Sequence, residues 1–251
     1  MRDVRRSQIA EIVKRDGHVK VSDLANQFDV SEITIHRDLD YLEEKSVLRR
    51  SRGGAIVNRE IHEFQYPNRV NSALKEKNRI ANAAARLVKE GDTLILDGST
   101  TNIHIARAIK EIHNITVFTM SHWVMMELIN SVDICLYCIG GLYSRETAHF
   151  VGSDLEDYIK KLHANKCIIG ASAISPEYGI TGPYSQLVAI QKNIIESVDE
   201  VILAADHTKW GKVSTEKVAD INDMNYIIVD SDLDKKYIDL VNDKTNLILA
   251  D

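Results

Sequence analysis

Residues Val19 to Val57 read V-K-V-S-D-L-A-N-Q-F-D-V-S-E-I-T-I-H-R-D-L-D-Y-L-E-E-K-S-V-L-R-R-S-R-G-G-A-I-V, and the periodicity of this stretch decides how the chain around it is organised. Ser22 stands at an N-cap position ahead of Leu24, Ala25 and Phe28, which share a helical face. Ser31 caps a second helix whose Ile35, Leu39 and Leu42 recur at i, i+4, i+7. Asp29 and Val30 leave room only for a tight turn. That spacing predicts a helix-turn-helix.

Turned at about 100° per residue, the second helix keeps Ile35, Leu39 and Leu42 inward and sets Ile33 and Arg37 opposite them, flanked by Thr34, His36 and Asp40. Arg37 can donate two hydrogen bonds to a guanine edge, and Thr34 can bond a base or touch a thymine methyl. Ser31 with the helix N-terminus can hold a phosphate. Beyond this helix, Val47-Leu48 and Ala55-Ile56-Val57 read as strands around Arg52-Gly53-Gly54. They would offer Arg49, Arg50 and Arg52 as a wing to phosphates or a narrow minor groove. Helix pairs with hairpins also serve as packing modules, and edge arginines also block strand pairing. The two capped helices, the short turn and the basic hairpin together favour double-stranded DNA.

Val30–Leu39, V-S-E-I-T-I-H-R-D-L, followed by Arg49–Ala55, R-R-S-R-G-G-A, resembles the DNA-binding domain of the DeoR family of bacterial transcription regulators. The usual patterns there are V-S-x-x-T-I-R-R-D-L and R-x-H-G-G-A. His36 stands at an arginine of the pattern and Arg52 at a histidine. A neutral imidazole removes a bidentate donor, so the family's operator sequences do not carry over.

The 251 residues, 44% of them hydrophobic, can bury one large core or two smaller ones. Residues 1–58 hold eleven Lys/Arg and ten Asp/Glu, a net of +1 against −7 for the remainder. DNA contact is therefore expected only from this head, and the acidic body would repel nucleic acid. Arg2, Arg5 and Arg6 add a local basic cluster. No apolar run approaches the roughly 20 residues that span a bilayer, and the first residues lack the apolar core of a signal peptide. A cytoplasmic protein with no membrane partner is expected. Cys135 and Cys138 form a C-x-x-C inside the apolar stretch Ile134–Ile139. On a strand they point to opposite faces, which excludes a disulfide or shared zinc and predicts buried, structural cysteines.

Arg5–Arg15 reads as the first helix, with Ile9, Ile12 and Val13 as its stripe and Gly17 as its stop. Residues 59–73, polar and holding Pro67, read as a linker between a head of residues 1–58 and a body of residues 74–251. In the body, helical segments (Lys75–Lys89, Ile103–Ile112, Trp123–Asn130, Ser153–Lys161 and Leu187–Ser197) intersperse with apolar runs. Those runs are Thr93–Leu96, Ile115–Thr119, Ile134–Ile139, Lys166–Gly170, Val201–Ala205, Tyr226–Val229 and Leu247–Leu249. This predicts an α/β domain with a largely parallel sheet.

Ligands of such sheets bind beyond the carboxyl ends of the strands. There stand Asp97-Gly98-Ser99-Thr100-Thr101, Thr119-Met120-Ser121, Gly140-Gly141, Gly170-Ala171-Ser172, and Asp206 through Gly211. Small hydroxylated residues before a helix suit a phosphate, Lys209 supplies a cation, and Asp206 can accept from hydroxyls. Each turn alone also fits an N-cap, a plain loop or a local ion pair. Their recurrence at one end of the sheet points to a ligand pocket. His104, His113, His122, His149 and His163 show no ligand spacing, so no metal is expected.

The body also resembles the DeoR family's effector-binding domain through E-K-x-x-I-A at Glu76–Ala81, D-G-S-T-T at Asp97–Thr101, Gly140-Gly141, Gly152 and D-H-T-K-W-G at Asp206–Gly211. With the head, the resemblance covers nearly the full length. It implies a fold like ribose-5-phosphate isomerase and a sensor of phosphorylated sugars. By position Asp97, Gly98, Ser99, Thr100 and Thr101 would hold the phosphate, Gly140, Gly141 and Lys209 would line the sugar, and Lys77 would be a further contact or a packing residue. Met120 replaces the asparagine of T-N-S. The family's G-x-x-G-I-D is reduced here to Gly170-Ala171-Ser172-Ala173-Ile174-Ser175, which lacks the terminal acid.

A sequence-specific repressor of carbohydrate-metabolism genes, acting as a homodimer or homotetramer with no cofactor, is the reading these features favour. The alternative is a sugar-phosphate isomerase with Asp97 or Asp206 as its base. Isomerisation needs a carboxylate placed at the C–H to be broken, and no such placement follows from the sequence.

Overall fold

A computed structural model describes residues 2–44, 47–57, 66, 69–242 and 244–251, and the chain divides into two units, Met1–Gln65 and Tyr66–Asp251. The first unit runs α1 (Arg2–Asp16), β1 (His18–Lys20), α2 (Val21–Phe28), α3 (Glu32–Glu44), β2 (Leu48–Ser51) and β3 (Gly54–Val57). Its core joins Ile9 and Val13 of α1 and Leu24 of α2 to Ile35, Leu39 and Leu42 of α3, with Leu48 and Ala55 of the hairpin. Burying each large apolar side chain contributes about 1.5–3 kcal/mol, which holds the two helices of the pair at their turn.

Asp38 of α3 is buried against α1, where Arg5 Nε and Arg6 Nε reach its two oxygens at 2.6 and 2.8 Å. These two arginines therefore brace the fold. Ser31 caps α3 as expected, its Oγ accepting from Thr34 N at 3.2 Å. Ser22 does not cap α2. That helix starts two residues earlier, at Val21 with Lys20 as its N-cap, and the Val21 amide donates to Gly53 O at 2.9 Å. The same contact line forms β1, a strand too short to show in the sequence, and the wing is a three-stranded sheet in the order β1-β3-β2.

The second unit contains α4 (Leu74–Ala85), β4 (Thr93–Leu96), α5 (Thr100–Ala108), β5 (Ile115–Thr119), α6 (His122–Leu128), β6 (Ile134–Cys138), β7 (Leu142–Ser144), β8 (His149–Val151), α7 (Ser153–Ile159) and β9 (Ala164–Ile169). There follow β10 (Ala173–Ser175), β11 (Gly179–Gly182), α8 (Ser185–Glu196), β12 (Val198–Ala204), β13 (Glu216–Ala219), β14 (Tyr226–Asp230), α9 (Lys235–Val241) and β15 (Asn246–Ala250). Seven strands pair in the order β15-β14-β12-β9-β4-β5-β6, all of them parallel.

The central strands are apolar runs because both faces are covered. Ile95, Cys167, Ile169 and Leu203 face one core with α7 and α8. Leu94, Leu96, Ile168 and Ile202 face the other with Ile80 of α4 and Ile103 of α5. Strand order reverses direction between β4 and β9, which makes their carboxyl ends the switch point of the sheet.

Two expectations change. Cys135 and Cys138 are free and exposed, not buried, because β6 is the edge strand and little packs over it. Of the expected linker 59–73, Tyr66 and residues 69–73 belong to the second unit, with the Tyr66 side chain buried there. Residues 59–65, 67 and 68 lie outside the described residues. Among the described residues no helix is long and apolar enough to cross a membrane.

Candidate functional site

In the first unit, Ile33, Arg37, Arg49 and Arg52 are exposed, and Thr34 and His36 are partly covered. Ser31 Oγ and Thr34 Oγ1 lie 2.9 Å apart, so the two hydroxyls are shared at the start of α3. Arg50 is turned away from solvent. Its NH1 donates to Asp40 Oδ1 at 2.5 Å and its NH2 to His36 Nδ1 at 2.6 Å. The wing is thereby strapped to α3, with Arg50 as the brace. It also explains His36. An arginine there would set two guanidinium groups together, whereas an imidazole nitrogen accepts the bond.

In the second unit a cleft opens at the switch point, lined by Arg69, Asp97, Gly98, Ser99, Met120, Thr147, His149, Gly170, Ala171, Ser172, Tyr184 and Gln191 among others, with roughly 640 Å³ of open space including its mouth. Its floor is organised by the buried Asp97. Oδ1 accepts from Ser99 N at 2.7 Å and Asn102 Nδ2 at 2.8 Å, and Oδ2 accepts from Gly170 N at 2.9 Å and Gln191 Nε2 at 2.8 Å. Four donors occupy its two oxygens, so this carboxylate ties the end of β4 to the end of β9 and to α8.

The two glycines of the floor are there for close approach. A Cβ on Gly98 would lie 1.8 Å from His149 Nε2, and one on Gly170 would lie 2.2 Å from Ser99 Cβ. Ser99 caps α5, its Oγ accepting from Asn102 N at 3.2 Å. The amides of Thr100 and Thr101 sit in the first turn, where an α-helix leaves its N–H groups unpaired.

Further groups converge that the sequence did not single out. Thr147 Oγ1 is buried without a hydrogen-bond partner and lines the cleft. His149 Nδ1 donates to Thr147 O, leaving Nε2 as the acceptor toward Gly98. Burial holds the His149 imidazole below its ordinary value, against the opposing pull of Asp97. Burial likewise raises the Tyr184 hydroxyl. Arg69 is exposed at the rim, and among the described residues no carboxylate pairs with it. The segments carrying these side chains, β8, the turn before α8 and the stretch before α4, lack any strand-end signature.

Other expected site residues lie elsewhere. Lys77 Nζ donates to Arg69 O and to Ser72 O at 2.7 Å, and burial lowers its ammonium to about 8. Asp206 Oδ1 accepts from Thr208 N at 3.1 Å and Asp206 Oδ2 stands 3.8 Å from Lys209 Nζ, a local ion pair at the end of β12. Gly140 follows the edge strand and borders a separate surface depression with Tyr137 and Tyr158. A Cβ on Gly141 would meet Val151 O at 2.7 Å, so this glycine serves the β7–β8 crossing. None of these lines the cleft.

Among the described residues one group, His207, Asp230 and Asp232, could present three ligand atoms to a metal. His207 Nδ1 is bonded to Asp230 Oδ2 at 2.7 Å and Arg79 NH2 to Asp232 Oδ2 at 3.0 Å. These bonds engage all three side chains, Asp232 through Arg79.

Residues 5–60 match the family model of the DeoR-like helix-turn-helix domain, and residues 72–231 that of the DeoR C-terminal sensor domain. The chain is 34% identical over 247 residues to the HTH-type transcriptional regulator YulB of Bacillus subtilis, covering 98% of this chain and 95% of that one. It is 31% identical over 234 residues to the HTH-type transcriptional repressor GlcR of the same organism, covering 93% and 90%. Ribose-5-phosphate isomerase in complex with phospho-erythronic acid matches 55% of this chain and 54% of its own at 15% identity and a TM-score of 0.41, too loose a superposition to carry an argument.

Proposed function

Because this chain belongs to the DeoR family of helix-turn-helix transcriptional regulators, we propose that it represses carbohydrate-metabolism genes under the control of a phosphorylated sugar bound in the cleft between β4 and β9. The observation that carries the effector reading is the cleft itself. Ser99 at the N-cap of α5, an unpartnered buried Thr147 hydroxyl and the Arg69 guanidinium line one cleft. A phosphate would take the amides and the cation, and sugar hydroxyls would take Thr147 and Tyr184.

In the head, Arg37 and Ile33 face the major groove and Arg49 and Arg52 the backbone beside it. A homodimer or homotetramer would present two such helices to half-sites about 34–36 Å apart or a multiple of that. Catalysis is not part of the role. Asp97, the one carboxylate lining the cleft among the described residues, has both oxygens engaged by internal donors, so it is not placed to take a proton from a substrate carbon.

The test is to isolate operator fragments from genomic DNA on the immobilised full-length protein and challenge the complex with a panel of phosphorylated sugars. Release by one of them, and not by its unphosphorylated counterpart, is the expected result. Retention throughout the panel would remove the sugar phosphate from the account.

A further inference from the structure

We propose that His36 reads a base edge as a single N–H donor, and that Arg50 of the wing is the positioning residue that fixes its ring in that form. This rests on the DNA-binding role of the head and names what one of its side chains recognises. A guanidinium carries five N–H donors and no acceptor. Arg50 NH2 lies 2.6 Å from His36 Nδ1, so Nδ1 is the acceptor in that bond and carries no proton. The proton of the ring therefore sits on Nε2. Nε2 has no partner among the described residues and is open to solvent.

The wing holds His36 at more than its ring. Arg50 NH1 donates to His36 O at 3.2 Å and to Asp40 Oδ1 at 2.5 Å, and the Arg50 amide donates to Glu43 Oε1 at 2.7 Å. His36, Asp40 and Glu43 recur at i, i+4, i+7 on the side of α3 that meets β2, so one face of the helix seats the arginine against the imidazole. His36 also stands near the start of α3, which begins at Glu32, and the N-terminal residues of such a helix contact base edges. The exposed Ile33 and Arg37 lie beside it. In the major groove guanine offers N7 and O6 as acceptors, adenine N7 and thymine O4, whereas cytosine offers only its amino donor. One N–H that any of three bases can satisfy specifies by exclusion. His36 rejects cytosine at one position of each half-site, where the amino group would face the Nε2 proton.

The test selects binding sites from a random-sequence DNA pool with the full-length protein and sequences what is retained. Wild type should exclude cytosine at one position of each half-site. His36→Ala should lose that exclusion alone and bind the wild-type site about five- to tenfold more weakly, the loss of one hydrogen bond. His36→Gln, whose amide keeps an N–H donor, should restore the exclusion. Arg50→Met should lose it too, and adding His36→Ala to Arg50→Met should change little further. Nitrogen-15 spectra of the histidine-labelled full chain separate positioning from folding. His36 of wild type should carry its proton on Nε2, and in Arg50→Met the two tautomers should mix while the histidines of the second unit keep their shifts. A wild-type ring protonated on Nδ1, a His36→Ala or Arg50→Met pool that still excludes cytosine, or an equal loss by His36→Ala on random DNA would overturn this inference and leave the DNA-binding head standing. Wild type that enriches no sequence would overturn sequence-specific reading by the head, and this inference with it.

Discussion

Asp97→Asn separates a carboxylate that organises the cleft from one that touches a ligand. Each oxygen of Asp97 accepts two hydrogen bonds, from Ser99 N and Asn102 Nδ2 on one side and from Gly170 N and Gln191 Nε2 on the other. Asparagine retains one oxygen, and its amide nitrogen must face one of these donor pairs. Two bonds to a charged acceptor are lost, each worth about 1.5–3 kcal/mol, or about 3–6 kcal/mol gross. Relief of the buried charge and rotation of the Asn102 or Gln191 amide offset part of this, leaving about 3 kcal/mol. In a unit of this size each kcal/mol moves Tm by about 2–4 °C, so the variant should melt about 6–12 °C lower without any ligand present. Calorimetry on the full chain measures this. A variant melting within about 2 °C of wild type while losing effector binding would refute the organising role and make Asp97 a ligand contact.

Arg37→Ala should weaken specific operator binding by about 1–3 kcal/mol in fluorescence anisotropy; an equal loss on random DNA would show that Arg37 touches only phosphate. Lys209→Ala should leave the effector response intact, since its charge is paired with Asp206 away from the cleft, and loss of that response would bring Lys209 into the site. Burial holds His149 and His104 below the ordinary histidine value of about 6.5. The unfolded chain then binds protons that the native state refuses, so stability is full above about pH 6.5 and falls as pH drops toward the lowered native values. Denaturation curves of wild type and His149→Gln between neutral pH and about pH 5 check this. A slope in the variant as steep as in wild type would remove His149 as a contributor.

The winged helix-turn-helix was legible because caps, turn and apolar spacing are local properties of Ser31, Ile35, Leu39 and the arginine hairpin. The seven strands of the parallel sheet were legible because buried parallel strands are apolar runs. Strand order was not. The residues after β4 and β9 meet because the chain reverses direction there, whereas Gly140-Gly141 end the edge strand and Asp206 with Lys209 follow β12, one strand beyond β9. All carry the same small or polar residues, so local sequence cannot tell a binding turn from a capping one. Thr147, His149 and Gln191 come from a hairpin and a helix face whose approach to Asp97 is a tertiary fact. The exposure of Cys135 and Cys138 follows from the same order, since an apolar strand at the sheet edge has a face left to cover. Arg50 shows a related limit. Its charge was visible, and its bond to His36 and Asp40 was not.

The most direct measurement is a thermal-shift titration of the full-length protein against phosphorylated sugars with their unphosphorylated counterparts alongside. Binding only to the native state raises stability by about 2.7 kcal/mol at a hundredfold excess over Kd. A saturable rise in Tm that requires the phosphate, and that Gly98→Ala abolishes by driving a Cβ into His149, is the predicted result. No shift with any phosphorylated compound, or an equal shift with the unphosphorylated sugar, would contradict a phosphate-reading effector site at the end of β4.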